Sequence, residues 1–260
     1  MTNVPAPSKS VSPLRAFLAA LQFLTVSPQL LRGEFSPQLM GYSVGYYPLV
    51  GALLGLLVWG TAQLAGLVFP KEVVSALVLL VWIGLTGLLH LDGFLDSCDG
   101  ILGGWTPEQR LEILRDERRG AFAIVGGIVL LLTKFASLNA LPAGSLALLL
   151  APVLGRWGMA LAIVAFPYAR PKGLGRDMKD NARWPQALLA TLFTLGTAWL
   201  AMGLAGLGAA VLAGAVLWIM ARYTMGRIPG LTGDLYGAFN EILEVVVLVF
   251  ASGLPAGWLA

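Results

Sequence analysis

Seven long apolar runs constrain this chain more than any other feature. They occupy 43–66, 73–91, 121–141, 144–166, 186–205, 207–222 and 236–254. About 17–25 residues of helix cross the hydrocarbon of a bilayer. The sixth run is short, so six and eight crossings are the alternative counts. Only helices and closed barrels satisfy their backbone in lipid. These runs are continuous rather than alternating, which selects helices over barrel strands. Composition agrees: 57% of residues are apolar and only 12% charged, about half the charged share of a soluble domain. Mean hydropathy is +0.79. A secreted disulfide scaffold, a collagen-like repeat and a disordered chain are excluded. The expected fold is all-α, a polytopic transmembrane helix bundle making one integral membrane domain over 1–260.

The placement of charge gives an orientation. Segments 1–42, 92–120, 167–185 and 223–235, with Arg222 at a boundary, alternate with the runs on one face. They hold Lys9, Arg15, Arg32, Arg110, Arg115, Arg118 and Arg119. They also hold Arg170, Lys172, Arg176, Lys179, Arg183, Arg222 and Arg227, making 14 of the 17 cationic residues. The opposite face holds Lys71, and Lys134 and Arg156 lie within runs. Cationic loops stay inside, so the N-terminus is expected in the cytoplasm and the C-terminus outside. The apolar stretch Arg15–Leu31 is shorter and ends at Pro28. No small-residue cleavage site follows Leu24–Val26, so an interfacial or re-entrant helix is expected there rather than a signal peptide. A net charge of +3 is too small to argue for a nucleic-acid partner. The single cysteine, Cys98, excludes an intrachain disulfide and a multi-cysteine zinc site. The Gly51/Gly55 pair reads as close helix packing.

The acidic residues are clustered. In His90-Leu-Asp92-Gly-Phe-Leu-Asp96-Ser-Cys-Asp99-Gly100, three aspartates fall within about 60° of one helix face. Like charges so placed repel one another, and a cation among them would relieve the repulsion. Carboxylates are hard ligands suited to Mg²⁺, Mn²⁺ or Ca²⁺. His90 and Cys98 lie on different faces and no second histidine exists, which argues against zinc. Gly100, Gly103 and Gly104 would either free backbone N–H groups for a phosphate or simply end the helix. Thr106-Pro107-Glu108-Gln109 predicts a new helix start with a capping box. That helix is expected to carry Arg110, Glu112, Arg115, Asp116, Arg118 and Arg119. These form either a solvated ion-pair ladder or a site in which Asp116 joins the metal and Arg115, Arg118 and Arg119 hold phosphate oxygens.

A second polar group follows the sixth run: Thr232-Gly-Asp234, then Asn240, Glu241 and Glu244. Glu241 and Glu244 fall inside the last run, where carboxylates face a polar cavity or a partner. Arg156 in the fourth run would either pair with a glutamate to hold the bundle together or share a substrate cavity with it. The loop around Arg170 is basic and glycine-rich. It would grip an anionic substrate or touch anionic headgroups. A divalent-cation site, phosphate-binding arginines and a cavity among helices are the parts of phosphoryl-type transfer.

The block His90–Gly100 resembles the signature of the cobalamin synthase family, the adenosylcobinamide-GDP ribazoletransferases. Four further blocks match in order: Tyr47-Pro-Leu-Val-Gly51, Leu111-Glu-Ile-Leu-Arg-Asp116, Ala169-Arg-Pro-Lys-Gly-Leu-Gly175, and Thr232-Gly-Asp234 with Glu241 and Glu244. Leu24-Thr-Val-Ser-Pro28 lacks the arginine common in the family, and Asp116-Glu117-Arg118 replaces its Asp-Ser-Arg. The resemblance implies that adenosylcobinamide-GDP and α-ribazole, or α-ribazole 5′-phosphate, are joined with release of GMP. It implies Mg²⁺ as cofactor, with Asp92, Asp96, Asp99 and Asp116 as ligands. His90 or Asp116 would accept the hydroxyl proton. Substrate would be bound by Gly100, Gly103, Gly104, Arg115, Arg118, Arg119, Arg156, Arg170, Asp234, Glu241 and Glu244. The location it implies is the bacterial or archaeal cytoplasmic (inner) membrane, with the active site facing the cytoplasm. A homo-oligomer is compatible with the sequence. The alternatives are an enzyme like the CDP-alcohol phosphotransferases and an ion-coupled transporter. The former class expects Ala-Arg where Gly103-Gly104 stands.

Overall fold

The structure, a computed structural model, describes residues 11–33, 35–116 and 118–255. Lys9 and Glu117 lie outside the described residues. Eleven helices account for the fold, and no strand occurs among the described residues. An isolated parallel bridge joins Tyr168 to Leu231. The apolar runs fall on helices, and the second, 73–91, runs past the end of one helix into the next.

The first helix, α1 (Pro13–Leu24), starts at Ser12, whose hydroxyl accepts from the Arg15 N–H at 3.2 Å. Twelve residues span about 18 Å, too few to cross hydrocarbon. α2 (Pro37–Ser43) passes through a 3₁₀ turn, Val44–Tyr46, into α3 (Tyr47–Ala65). α3 lies against α8 (Ala147–Ala165). A Cβ on Gly51 would come 2.5 Å from the Pro152 carbonyl oxygen, and one on Gly55 2.5 Å from that of Leu149. The two glycines are therefore a packing seam, as the spacing predicted. α8 is buried along most of its length, between α3 and two later helices.

α4 (Lys71–Thr86) ends in two left-handed residues, Gly87 (φ 57°) and Leu88 (φ 63°). A leucine pays a steric cost there, so the elbow is held from outside. The Val26 N–H donates to the Leu85 carbonyl at 2.9 Å, strapping the residues after α1 onto the bend. The next helix, α5 (Leu89–Cys98), turns 93° away. The aspartate block therefore does not continue the line of α4. With ten residues, about 15 Å long, α5 does not cross but lies at the polar mouth of the bundle.

A π turn, Asp99–Gly103, leads to α6 (Pro107–Ile113) and then α7 (Ala121–Ala140). Thr106 caps α6 by accepting from the Gln109 N–H at 3.2 Å. Gln109 returns its side-chain oxygen to Trp105 at 2.9 Å rather than to Thr106. α9 (Leu174–Asn181) sits in the basic loop.

α10 (Trp184–Met225) has 42 residues, about 63 Å as a straight rod and twice the hydrocarbon thickness. It breaks at Gly203 (φ 53°, ψ −130°), a conformation for glycine alone. The halves fold back on each other. A Cβ on Gly206 would overlap the Ala198 carbonyl. Trp157 donates to the Thr191 hydroxyl at 3.0 Å in the first half and lies within 3.5 Å of a Cβ built on Gly214 in the second. Positions 191 and 214 are symmetric about the break, as antiparallel neighbours must be. α11 (Gly233–Ser252) closes the bundle against α5, α7 and α8, capped by Thr232.

Candidate active site

The polar mouth is assembled from α5, the loop between α6 and α7, the basic loop and the start of α11. The crossing of α5 and α11 is close. A Cβ on Gly93 would lie 2.7 Å from the Asp234 carbonyl oxygen, and one on Gly237 3.1 Å from the His90 backbone. These two glycines bring Asp92 and Asp234 to one place. Arg170 completes the corner: its guanidinium donates to Asp234 at 2.7 Å and to the Leu114 carbonyl at 3.1 Å. A single side chain thus ties together the basic loop, the turn after α6 and α11. The backbone pairing of Ala169 and Leu231 (2.8 Å) fixes the same loop.

Asp92 and Asp96 share one face of α5 and are bridged by Arg119, which pairs with both. Asp92 is open to solvent, while Asp96 is mostly enclosed. Burial pushes the Asp96 carboxyl up to about 6; the nearby Asp92, Asp234 and Asp99 carboxylates add to the rise and Arg119 opposes it. This crowd of carboxylates favours a cation, and the Arg119 guanidinium fills that role.

Asp99 keeps the α register of α5, its N–H donating to the Leu95 carbonyl. Its carboxylate is taken up by the start of α7, where its oxygens accept from the Gly120 N–H at 2.6 Å and the Ala123 N–H at 2.9 Å. It acts as a cap on two otherwise unsatisfied donors. Among the described residues no three His, Cys, Asp or Glu side chains are gathered as a ready metal cage.

α6 also stops earlier than the pattern predicted. Asp116 lies beyond it as an exposed side chain accepting from the Arg118 N–H at 3.0 Å, so Glu112, Asp116 and Arg119 form no helical ladder. Arg115 and Arg118 are exposed on the same loop. A Cβ on Gly100 would meet Leu114 and one on Gly104 would meet Arg110, each near 2.5 Å. Those two glycines therefore let α6 approach closely. A Cβ on Gly103 would touch only Phe122, at 3.5 Å.

The intramembrane charges meet deeper in the bundle. Lys134 of α7 donates to Glu241 and to Glu244, both at 2.6 Å. Arg156 pairs with the other oxygen of Glu244, and Asn240 donates to it at 3.1 Å. Arg156 and Glu244 are fully buried. Two cations and two carboxylates balance. The pairing reading of Arg156 is thus the one the geometry realises. The sequence reading placed Lys134 in a run without giving it a partner. Counting charges inside the runs would have found it, since two carboxylates required a second cation. Arg156 also lies 3.3 Å from His90 Nδ1.

The chain matches the family model described as cobalamin-5-phosphate synthase over residues 16–252. The chain belongs to that family. Curated relatives run along nearly the whole length. One from Stutzerimonas stutzeri is 41% identical, covering 89% of this chain and 95% of its own. One from Desulforamulus reducens is 37% identical, covering 88% and 92%. One from Pseudomonas aeruginosa is 41% identical, covering 91% and 97%. All three are named adenosylcobinamide-GDP ribazoletransferase. No solved structure matches.

Proposed function

We propose that this chain performs the reaction for which its relatives are named. A hydroxyl oxygen of α-ribazole, or of its 5′-phosphate, attacks the phosphorus bonded to cobinamide in adenosylcobinamide-GDP. The new P–O bond forms as the bond to the bridging diphosphate oxygen breaks. GMP leaves with that electron pair, and the hydroxyl gives up its proton. The observation that carries this reading is the face of α5, where Arg119 spans Asp92 and Asp96 beside the Arg170–Asp234 clasp.

Mg²⁺ fits this donor set. It typically binds through one or two carboxylates plus phosphate oxygens and does not need a full protein cage. Asp92 and Asp96 would hold it; bound there, it would neutralise charge developing on the diphosphate. Arg119, Arg115 and Arg118 provide guanidinium groups for the phosphates at the same mouth. Asp116 is the candidate acceptor of the hydroxyl proton. Asp99 acts by fixing the start of α7, and so the loop that carries Arg119.

The cationic loops support seven crossings: α3, α4, α7, α8, both halves of α10, and α11. With the N-terminus inside, the mouth faces the cytoplasm. The transporter alternative loses its main support, because the buried charges are paired with one another.

The test uses purified protein in lipid nanodiscs, with adenosylcobinamide-GDP and α-ribazole. The expected result is Mg²⁺-dependent release of GMP with formation of the joined corrinoid, abolished in Asp96→Asn without loss of insertion. Metal-independent turnover, or full activity in Asp96→Asn, overturns the metal assignment. Absence of GMP release overturns the reaction.

A further inference from the structure

Beside the aspartates lies a cavity of about 210 Å³ between α5, α8, α9 and α11. Its polar lining comes from His90, Asp92, Asp234 and Tyr236, and its walls include Met159, Ile163 and Leu174. His90 Nε2 and the Tyr236 hydroxyl are buried and have no hydrogen-bond partner among the described residues. Buried polar atoms are normally satisfied, and two orphans on side chains that border one cavity point to a ligand that supplies acceptors.

The state of His90 follows from its neighbour. A guanidinium can only donate, so the Arg156 nitrogen 3.3 Å away makes His90 Nδ1 the acceptor. The ring proton then sits on Nε2. Arg156 is itself fixed by Glu244, which Lys134 holds from its other oxygen. A base acting through Nε2 would need the opposite tautomer, with Nδ1–H aimed at a cation. In this arrangement His90 is an N–H donor toward the cavity side of its ring rather than an acceptor of the hydroxyl proton. Arg156 is the positioning residue that sets it.

We infer that this cavity is the pocket for the acceptor nucleoside. This rests on the reaction proposed above. Two neutral donors, apolar walls and a rim of carboxylates fit the uncharged riboside, α-ribazole rather than its 5′-phosphate, and repel a bare diphosphate. Of the two substrates, only the benzimidazole riboside has that chemistry, with ring nitrogen and sugar oxygens as acceptors. His90 Nε2–H and Tyr236 O–H bind it and direct its hydroxyl toward the Asp92–Asp96 face.

His90 is the sole histidine in the chain, so ¹⁵N-histidine labelling gives a single imidazole to observe in nanodiscs. The expected spectrum shows a protonated Nε2 and a bare Nδ1, and the Nε2 signal moves when α-ribazole is added without metal or corrinoid. An Nδ1–H tautomer, or a spectrum unmoved by α-ribazole, overturns the inference, and no variant is needed for that result. In the assay, Tyr236→Phe should raise KM for α-ribazole about fivefold to tenfold, as for a lost hydrogen bond, and Leu174→Trp should raise it by filling the cavity. KM for adenosylcobinamide-GDP should stay unchanged. If the wild type turns over but only the corrinoid KM moves, the pocket is wrong and the reaction stands. If the wild type does not turn over, the reaction itself fails.

Discussion

Replacing Lys134 with methionine tests the buried charge network most directly. The ammonium makes two charge-assisted hydrogen bonds, each 2.6 Å, to carboxylates that are almost entirely buried. Methionine fills similar volume and removes the charge with its two hydrogen bonds. Glu244 keeps Arg156, but Glu241 is left with the Asn240 amide at 3.5 Å, the outer limit of a hydrogen bond. Breaking one partner out of a buried pair costs about 3–5 kcal/mol. For a domain of this size that corresponds to roughly 6–20 °C in Tm. Adding Glu241→Gln removes the orphaned charge, so the double variant should recover most of the loss and sit within about 1–2 kcal/mol of wild type. Thermal melting of the four proteins in one detergent gives the cycle, and its coupling term is the quantity of interest. If Lys134→Met alone melts like the double variant, Glu241 is hydrated and the network is not closed. The reasoning about Arg156 and His90 would lose its anchor with it.

Two further outcomes follow from local geometry. Asp99→Ala removes two hydrogen bonds at the start of α7 and should cost about 2 kcal/mol; if Asp99 were instead a metal ligand only, chelator-treated wild type and variant would melt together. Gly203→Val forces a branched residue into a glycine-only conformation and should lower stability by at least about 1–3 kcal/mol, whereas unchanged melting would mean the α10 turn lies elsewhere.

Much of the architecture could be read from hydropathy, because a bilayer imposes its own period on the chain. Most apolar runs became a helix or half of one, and α10 breaks at Gly203, near the end of the fifth run. The elbow after α4 was hidden, since Leu85-Thr-Gly-Leu-Leu continues the run without a polar signal. Gly87 alone hinted at it. At the site, helical arithmetic set Asp92, Asp96 and Asp99 along one helix, but it gave no sign that the start of α7 takes up the Asp99 carboxylate, a contact between distant parts of the chain. The stop of α6 at Ile113 had no breaker residue to mark it. It comes from packing of Leu114 against Gly100 and from Arg170 taking the Leu114 carbonyl, both long-range contacts. Tyr236 carried no signal at all; only its burial beside His90 singles it out.

The order of the charges along the chain bears on how the molecule is made. Lys134 and Arg156 leave the ribosome about ninety residues or more before the glutamates that neutralise them. An unpaired cation is costly at such depth, so nascent α7 and α8 remain incomplete lodgers in the bilayer. α11 delivers both anions at once, and synthesis of this last helix is the event that locks the earlier ones into place.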